Sequence, residues 1–222
     1  MKKAIFLIFI ITFIVSCKKA ESCADCLTFY FENPQPVNDS ELDHFPNRFR
    51  GLYMNKDSTF IIIDKDRILE EYSFKFKIHK KDIDSLKNEF DLVNNYLISK
   101  HTKKKLDIRS IGDSLELTDK NTDTLFRFSY NQKAKRINSQ LILSKRDSIF
   151  WKVKFLSLEN NKIKFRNMHY PEDLKHLDSL TVIKSKKIDS LSYLISPTRS
   201  EFKKILKIKK LGDDQEYTKI SK

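Results

Sequence analysis

The stretch IFWKVKFLSLENNKIKFRNMH, residues 149–169, decides the fold. Two runs rich in aromatic and β-branched residues stand on either side of Asn160-Asn161. Such residues favour strands, and a short polar break between two runs is typical of a hairpin. The stretch therefore predicts two antiparallel strands joined by a turn.

The same pattern occurs through most of the chain. The run YSFKFKIHK (72–80) alternates strictly and predicts a strand with Tyr72, Phe74, Phe76 and Ile78 on one face. Asp-Ser pairs precede apolar runs at three places, and such pairs bond their own backbone in turns. These predicted hairpin corners lie at Asp57, Asp113 and Asp147. Together the runs predict a meander of eight or more antiparallel strands.

Helical patterns are few, and three segments are candidates: 81–93, 170–180 and 196–212. In the last, Thr198 and Glu201 have the spacing of a capping box. We expect the apolar stripe of the basic run that follows to pack on the sheet; contact with a membrane is the alternative. The predicted fold class is α+β and β-rich: an antiparallel meander sheet, curved or closed as a lipocalin-like barrel, with two or three short helices.

The N-terminus has the parts of an export signal. Two lysines follow Met1, and the run AIFLIFIITFIV (4–15) is about the length of a signal-peptide core but too short to cross a bilayer. Ile14-Val15-Ser16-Cys17 resembles the lipobox of bacterial lipoproteins. The resemblance implies that residues 1–16 are cleaved and that the thiol of Cys17 receives lipid.

Two further segments follow from this interpretation. Residues 17–45 contain Pro34 and Pro36 among polar residues and predict an extended, mobile tether. Residues 46–222 form the predicted β-rich globular domain. Known sorting rules imply the outer membrane, since Lys18 follows the lipidated cysteine, and we expect the periplasmic face, since no acidic cluster follows.

The body of the chain also resembles a family. The motifs FPNRFRGLY (45–53), WKVKFLSL (151–158), PEDL (171–174) and ISPTRSEF (195–202) are similar to those of uncharacterised lipoproteins of Bacteroidota. The resemblance implies no established activity. The lipobox resemblance, in contrast, implies palmitate on the anchor, an envelope location and membrane attachment.

The other two cysteines, Cys23 and Cys26, are spaced as C-x-x-C. In an oxidising envelope this spacing predicts a local disulfide. The alternatives are free thiols without a role, a metal site and a redox pair.

Composition limits the partners. The chain has 43 lysines and arginines against 30 acidic residues, a formal charge of +13. Export removes nucleic acid as a natural target. The excess of lysine is then either a consequence of biased codon usage or an attraction to acidic lipid or glycan. With 17 phenylalanines and 8 tyrosines, the chain has enough apolar material for a folded core.

Catalytic motifs are missing from the sequence. It has no G-x-S-x-G or H-E-x-x-H, and three glycines leave no room for a phosphate loop. His169, Glu172 and His176 are the only metal candidates, on and beside a predicted helix, and we expect no metal and no cofactor.

The predicted function is a membrane-anchored envelope protein with a non-catalytic binding, assembly or protective role. Its expected partners are the membrane, through the lipid, and an envelope protein or an acidic lipid or glycan. The alternatives are a lipocalin-like carrier of a small apolar ligand and a periplasmic hydrolase with an unmarked active site.

Overall fold

The computed structural model describes residues 25–221, and sixteen strands in this part form one sheet. The strands are β1 (Thr28–Phe31), β2 (Glu41–Leu42), β3 (Gly51–Met54), β4 (Phe60–Ile63), β5 (Arg67–His79), β6 (Phe90–Val93), β7 (Tyr96–Ser99), β8 (Lys105–Ile111), β9 (Ser114–Arg127), β10 (Gln132–Ile137), β11 (Gln140–Asp147), β12 (Phe150–Glu159), β13 (Lys162–Asn167), β14 (Lys186–Lys187), β15 (Ser192–Ile195) and β16 (Asp213–Ser221). The β12–β13 pair is the hairpin predicted at residues 149–169, with Asn160 and Asn161 both at positive φ.

The sheet is antiparallel except between β1 and β15, which run parallel. Its order is β14-β15-β1-β12-β13-β16-β3-β4-β5-β9-β8-β7-β6, and β10, β11 and β2 extend from β12. The path ends at β14 and β6, so the sheet is not closed. The predicted β-rich α+β class with an antiparallel sheet is confirmed, in the open form rather than as a lipocalin-like barrel.

Two α-helices and two 3-10 helices accompany the sheet in the described part. They are α1 (Pro171–Leu180), α2 (Arg199–Ile205) and the 3-10 helices Asn47–Phe49 and Lys80–Leu86. Two of the three predicted helices are confirmed, and α2 begins at the predicted capping box. The helix predicted at 81–93 is present only as the 3-10 helix Lys80–Leu86. The prediction was wrong for Phe90–Val93, which forms β6 and pairs with β7. No helix in residues 25–221 has the length and apolar character needed to cross a membrane.

Two cores fill the body of the protein. The first lies within the folded sheet and includes Phe45, Tyr53, Ile61, Phe126, Leu141, Leu156 and Phe165. The second lies between the other face of β11 and β12, the strand β1 and the two helices, and includes Phe31, Trp151, Phe155, Leu177, Phe202 and Ile205. The apolar stripe of the basic helix therefore packs inside the protein, as expected from the sequence.

Residues 72–121 form an arm that continues β5 and β9. The pairing of β4 with β5 ends at Glu71, whereas β9 accompanies β5 to His79. A third, small core around Leu97, Leu106 and Leu117 holds the arm together.

The segment before Phe45 belongs to the body. The predicted tether covers residues 17–45, but Thr28–Phe31 is a strand of the sheet, and Phe31 and Phe45 are fully buried. The proline-containing part of this segment is held by contacts with β10 and β11, described below. Only the part of the predicted tether before Asp25, together with the predicted signal peptide, lies outside the described residues.

Candidate ligand groove at a fork in the sheet

The sheet forks beside β12. On one side of β12, β1 is in register at Phe31 and Trp151, whereas β13 comes into register only at Phe155 and Arg166. Between these points β1 and β13 are not paired with β12. The residue before β1 and a residue after β13 are bonded to each other, since the Leu27 N–H donates to the His169 carbonyl oxygen at 2.7 Å. The divergence opens a space along the edge of β12.

This space is a groove of about 700 Å³ that β9 borders opposite the fork. Its apolar surface includes Phe29, Leu125, Phe126, Leu143, Phe165 and Met168. Five of these six side chains are at most 9% exposed, so the groove is a hollow along the outer edges of the two cores, and Leu125 is the most accessible of its apolar residues. Polar and apolar groups contribute to its surface in similar measure, and a concave site of this size that combines the two is a common form of ligand site.

Three lysines give the groove a positive charge. Lys145 and Lys152 lie opposite each other on β11 and β12, and Lys154 is two residues further along β12. By the alternation of strands, all three share the face that carries Leu141 and Leu156 into the first core. They occupy the solvent end of that face, where their stems can cover apolar surface while the ammonium groups reach water.

Two of these lysines are positioned by neighbours. The Nζ of Lys152 is 2.7 Å from Asp147 Oδ2 and 5.2 Å from the ring centroid of Tyr30. The hydrogen bond to Asp147 raises the pKa of Lys152, so this lysine stays charged. The Nζ of Lys154 is 5.7 Å from the ring centroid of Phe165. The cationic groups therefore stand at defined places around the apolar floor.

Two ionisable groups of other kinds lie in the lining. Asp123 accepts a hydrogen bond from the Tyr72 hydroxyl at 3.0 Å, and His169 Nδ1 is 3.1 Å from Asp213 Oδ1. Asp213 Oδ1 is buried and accepts no hydrogen bond from the described residues, so this contact has the distance of an ion pair without the hydrogen-bond alignment of a hydrolytic triad. Among the described residues no serine or threonine hydroxyl and no cysteine thiol is hydrogen-bonded to His169. The arrangement can bind an anion on an apolar surface, and this part of the chain has no assembled nucleophile.

Most of the site residues predicted from the sequence do not line the groove. Cys17 and Cys23 lie outside the described residues, and Cys26 is disulfide-bonded. His169 reaches the groove, whereas Glu172 and His176 are exposed on α1. Between Asp25 and Ser221, no three His, Cys, Asp or Glu side chains are grouped so that they could hold a metal ion.

Asp173, in the first turn of α1, has a structural role. Its Oδ2 accepts the backbone N–H groups of His169 and Tyr170, both at 2.9 Å, and its Oδ1 accepts that of Gly212 at 2.7 Å. These bonds begin α1 and join it to the start of β16. The carboxylate is thus fully engaged by backbone donors.

Sequence reasoning missed the lysine groups of the groove. The alternation W-K-V-K-F at 151–155 places Lys152 and Lys154 on one face of a strand, and a lysine face is normally assigned to bulk solvent. What the alternation could not indicate is that this face continues into a core and that β9 lies beside it.

Comparisons with known proteins identify no family for this chain. No protein-family model matches the chain, no curated protein matches it, and no solved structure matches it.

Proposed function

We propose that the protein is a lipoprotein of the bacterial cell envelope that binds a ligand without transforming it. Lipid on Cys17 would attach it to the outer membrane, on the periplasmic face. The sequence features in support are the two lysines after Met1, the apolar run 4–15 and the lipobox-like Ile14–Cys17. Two or three acyl chains on one residue are enough for durable attachment, whereas one chain is not.

The groove at the fork is the observation that carries the binding role. Its ligand class is a small amphiphile with an apolar body and an anionic group. The apolar body would lie on Leu125 and along the edge of the core that contains Phe126, Leu143 and Phe165, while the anionic group would meet the lysine ammonium groups. The folded sheet has its own filled core, so the ligand site of this carrier is a surface groove and not the interior of a barrel.

A hydrolase is the second candidate, and the His169–Asp213 pair is the contact that favours it. In that case His169 would act as general base on water rather than on a protein nucleophile. Loss of ester or amide hydrolysis in His169→Gln, measured on the purified protein, would support the hydrolase, and no hydrolysis by the wild type would exclude it for the substrates used.

The binding role is tested with an anionic fluorescent amphiphile, 8-anilino-1-naphthalenesulfonate. Titration of the folded wild type should give saturable binding that dodecanoate displaces. The double variant Lys145→Glu/Lys154→Glu should bind at least about tenfold more weakly, because two attractive charges become repulsive at short range. Lys162→Glu is the matched control, since Lys162 is exposed on the neighbouring strand β13 outside the groove.

Equal affinity of the double variant and Lys162→Glu would show that the groove is not the binding site. Circular dichroism of both variants checks that the comparison is between folded proteins.

A further inference from the structure

One edge of the sheet exposes apolar side chains that the cores do not use. The edge segment, residues 181–191, connects α1 to β15 and contains the two-residue strand β14. Val182 is 88% exposed, the highest value among the exposed large apolar residues, and Ile183 is 63% exposed. Ile188 and Leu191 follow at 43% and 45%.

Lysines lie between the apolar residues of the same segment. Between Ile183 and Ile188 lie Lys184, Lys186 and Lys187. The last two form β14, the strand at one end of the sheet, and both are exposed. Lys184 donates to the Thr181 carbonyl oxygen at 2.9 Å. With three lysines and one acidic residue, Asp189, the segment is apolar and has a net positive charge along one border of the protein.

Polar contacts hold the edge segment in place. The Val182 N–H donates to Glu201 Oε1 at 2.6 Å, which ties the segment to the start of α2. The Ser185 N–H donates to Asp178 Oδ1 at 2.8 Å, and the Ser185 hydroxyl is 3.0 Å from Asp178 Oδ2, which ties it to α1. Because its backbone is fixed by these bonds, the segment presents its apolar side chains outward at a defined position.

The chain that leads from the proposed anchor enters the fold at the same border. The Thr28 N–H donates to the Leu191 carbonyl oxygen at 2.7 Å, and β1 lies next to β15, which pairs with β14. Thr28 follows Cys17 by about eleven residues, and a fully extended chain of that length spans at most roughly 40 Å. A lipid on Cys17 would therefore keep this border within one short chain length of the bilayer.

We infer that the edge segment is a membrane-contact surface: Val182, Ile183, Ile188 and Leu191 enter the boundary between head groups and acyl chains, and the neighbouring lysines meet anionic head groups. The partner is the anionic phospholipid of the bilayer that carries the anchor, so this inference rests on the proposed lipidation of Cys17. Apolar side chains beside lysines are the composition of interfacial membrane segments, and each basic residue near an anionic surface adds attraction. The contact would fix the orientation of the body relative to the membrane.

The test uses the lipidated protein, purified from membranes and reconstituted in vesicles of phosphatidylcholine with or without phosphatidylglycerol. Val182→Trp is the reporter and Leu92→Trp is its control, since Leu92 is 56% exposed on β6, the opposite end of the sheet path. The one native tryptophan, Trp151, is 9% exposed and contributes the same background to both proteins. Mass spectrometry first establishes whether fatty acid is attached to Cys17.

For Val182→Trp we expect a blue shift of emission and quenching by brominated lipid, both larger with phosphatidylglycerol, and neither for Leu92→Trp. Adding Lys186→Glu and Lys187→Glu to the Val182→Trp protein should reduce the blue shift in anionic vesicles. A lipidated Val182→Trp protein whose introduced indole shows water-like, unquenched emission would overturn the membrane contact alone. A protein without fatty acid would overturn the anchor. A shift that needs an added envelope protein instead of lipid would also overturn the inference, by showing a protein partner.

Discussion

The ammonium group of Lys135 donates to the carbonyl oxygens of Pro36 at 2.9 Å and Pro34 at 3.1 Å, and the lysine is only 7% exposed. Next to it, the Gln35 N–H donates to the hydroxyl of Ser144, which is fully buried, at 3.2 Å. Burial lowers the pKa of Lys135, while the nearby carboxylates of Glu41 and Asp39 act in the opposite direction. A charged side chain of β10 thus holds the proline-containing segment on the body.

Replacing Lys135 should detach this segment. Lys135→Met keeps much of the side-chain volume but leaves the buried carbonyl oxygen of Pro36 and the partly buried one of Pro34 without their donor, which should cost about 2 kcal/mol of unfolding free energy. Urea denaturation measures the loss, and proteolysis within residues 32–40 should increase. The control Arg136→Met changes the next residue on the same strand, which is exposed, and should shift stability by less than about 0.5 kcal/mol. Equal stability of the two variants would show that the Lys135 contacts contribute nothing.

Cys17→Ala should prevent attachment of the protein to the envelope membrane by lipid. Without the thiol no acyl group is added, so we expect loss of the fatty-acid mass, a change in gel mobility and an uncleaved signal. Cys23→Ala is the control, because it removes a nearby cysteine and leaves the lipobox-like residues intact. Unchanged mobility and unchanged mass of Cys17→Ala would contradict the anchor.

Local patterns were enough to predict most elements of the fold. The hairpin at Asn160-Asn161 and the capping box of Thr198 and Glu201 are set by residues close in sequence. The helix predicted at 81–93 failed for a related reason. Its apolar residues have helical spacing, but Asn94 turns at positive φ and lets Phe90–Val93 pair with β7. The Asn94-Asn95 pair was the same signal as Asn160-Asn161 and indicated a hairpin.

Long-range contacts account for what sequence patterns did not reveal. Nothing near Thr28–Phe31 indicates that it pairs in parallel with β15, at the far end of the chain. The prolines at 34 and 36 suggested a tether because the buried donor that holds them, Lys135, is distant in sequence. The groove depends on several such segments meeting at the fork, so its lysines could be placed on a strand face but not in a site.

Leu117→Ala should open the arm without unfolding the body. Leu117 is 1% exposed and lies in a core of three buried residues, so its truncation removes a large part of what stabilises residues 72–121. We expect faster hydrogen exchange of amides in β6, β7 and β8 and unchanged exchange in β12 and β13. The control Leu156→Ala truncates a fully buried leucine of the first core and should raise exchange in the body. Faster exchange throughout the Leu117→Ala protein would show that arm and body unfold together.

The buried tyrosines should make the protein sensitive to alkali. Burial raises the pKa of Tyr53 and of Tyr217 from 10.0 to about 12, and the Tyr53 hydroxyl donates to the Phe49 carbonyl oxygen at 2.8 Å. Since the folded-state pKa is the higher one, the unfolded chain loses its proton first as pH rises. The resulting stabilisation is complete below pH 10 and is lost as pH rises from 10 towards about 12.

Urea denaturation on both sides of this interval should show a fall in unfolding free energy of roughly 2 kcal/mol for each buried tyrosine. Tyr217→Phe should lose correspondingly less stability over the interval, because it has one fewer group that is held neutral in the fold. Tyr130→Phe is the control, since Tyr130 is 75% exposed and lysine deprotonation affects both variants alike. The same alkaline loss in Tyr217→Phe, Tyr130→Phe and the wild type would show that burial of Tyr217 does not govern the response.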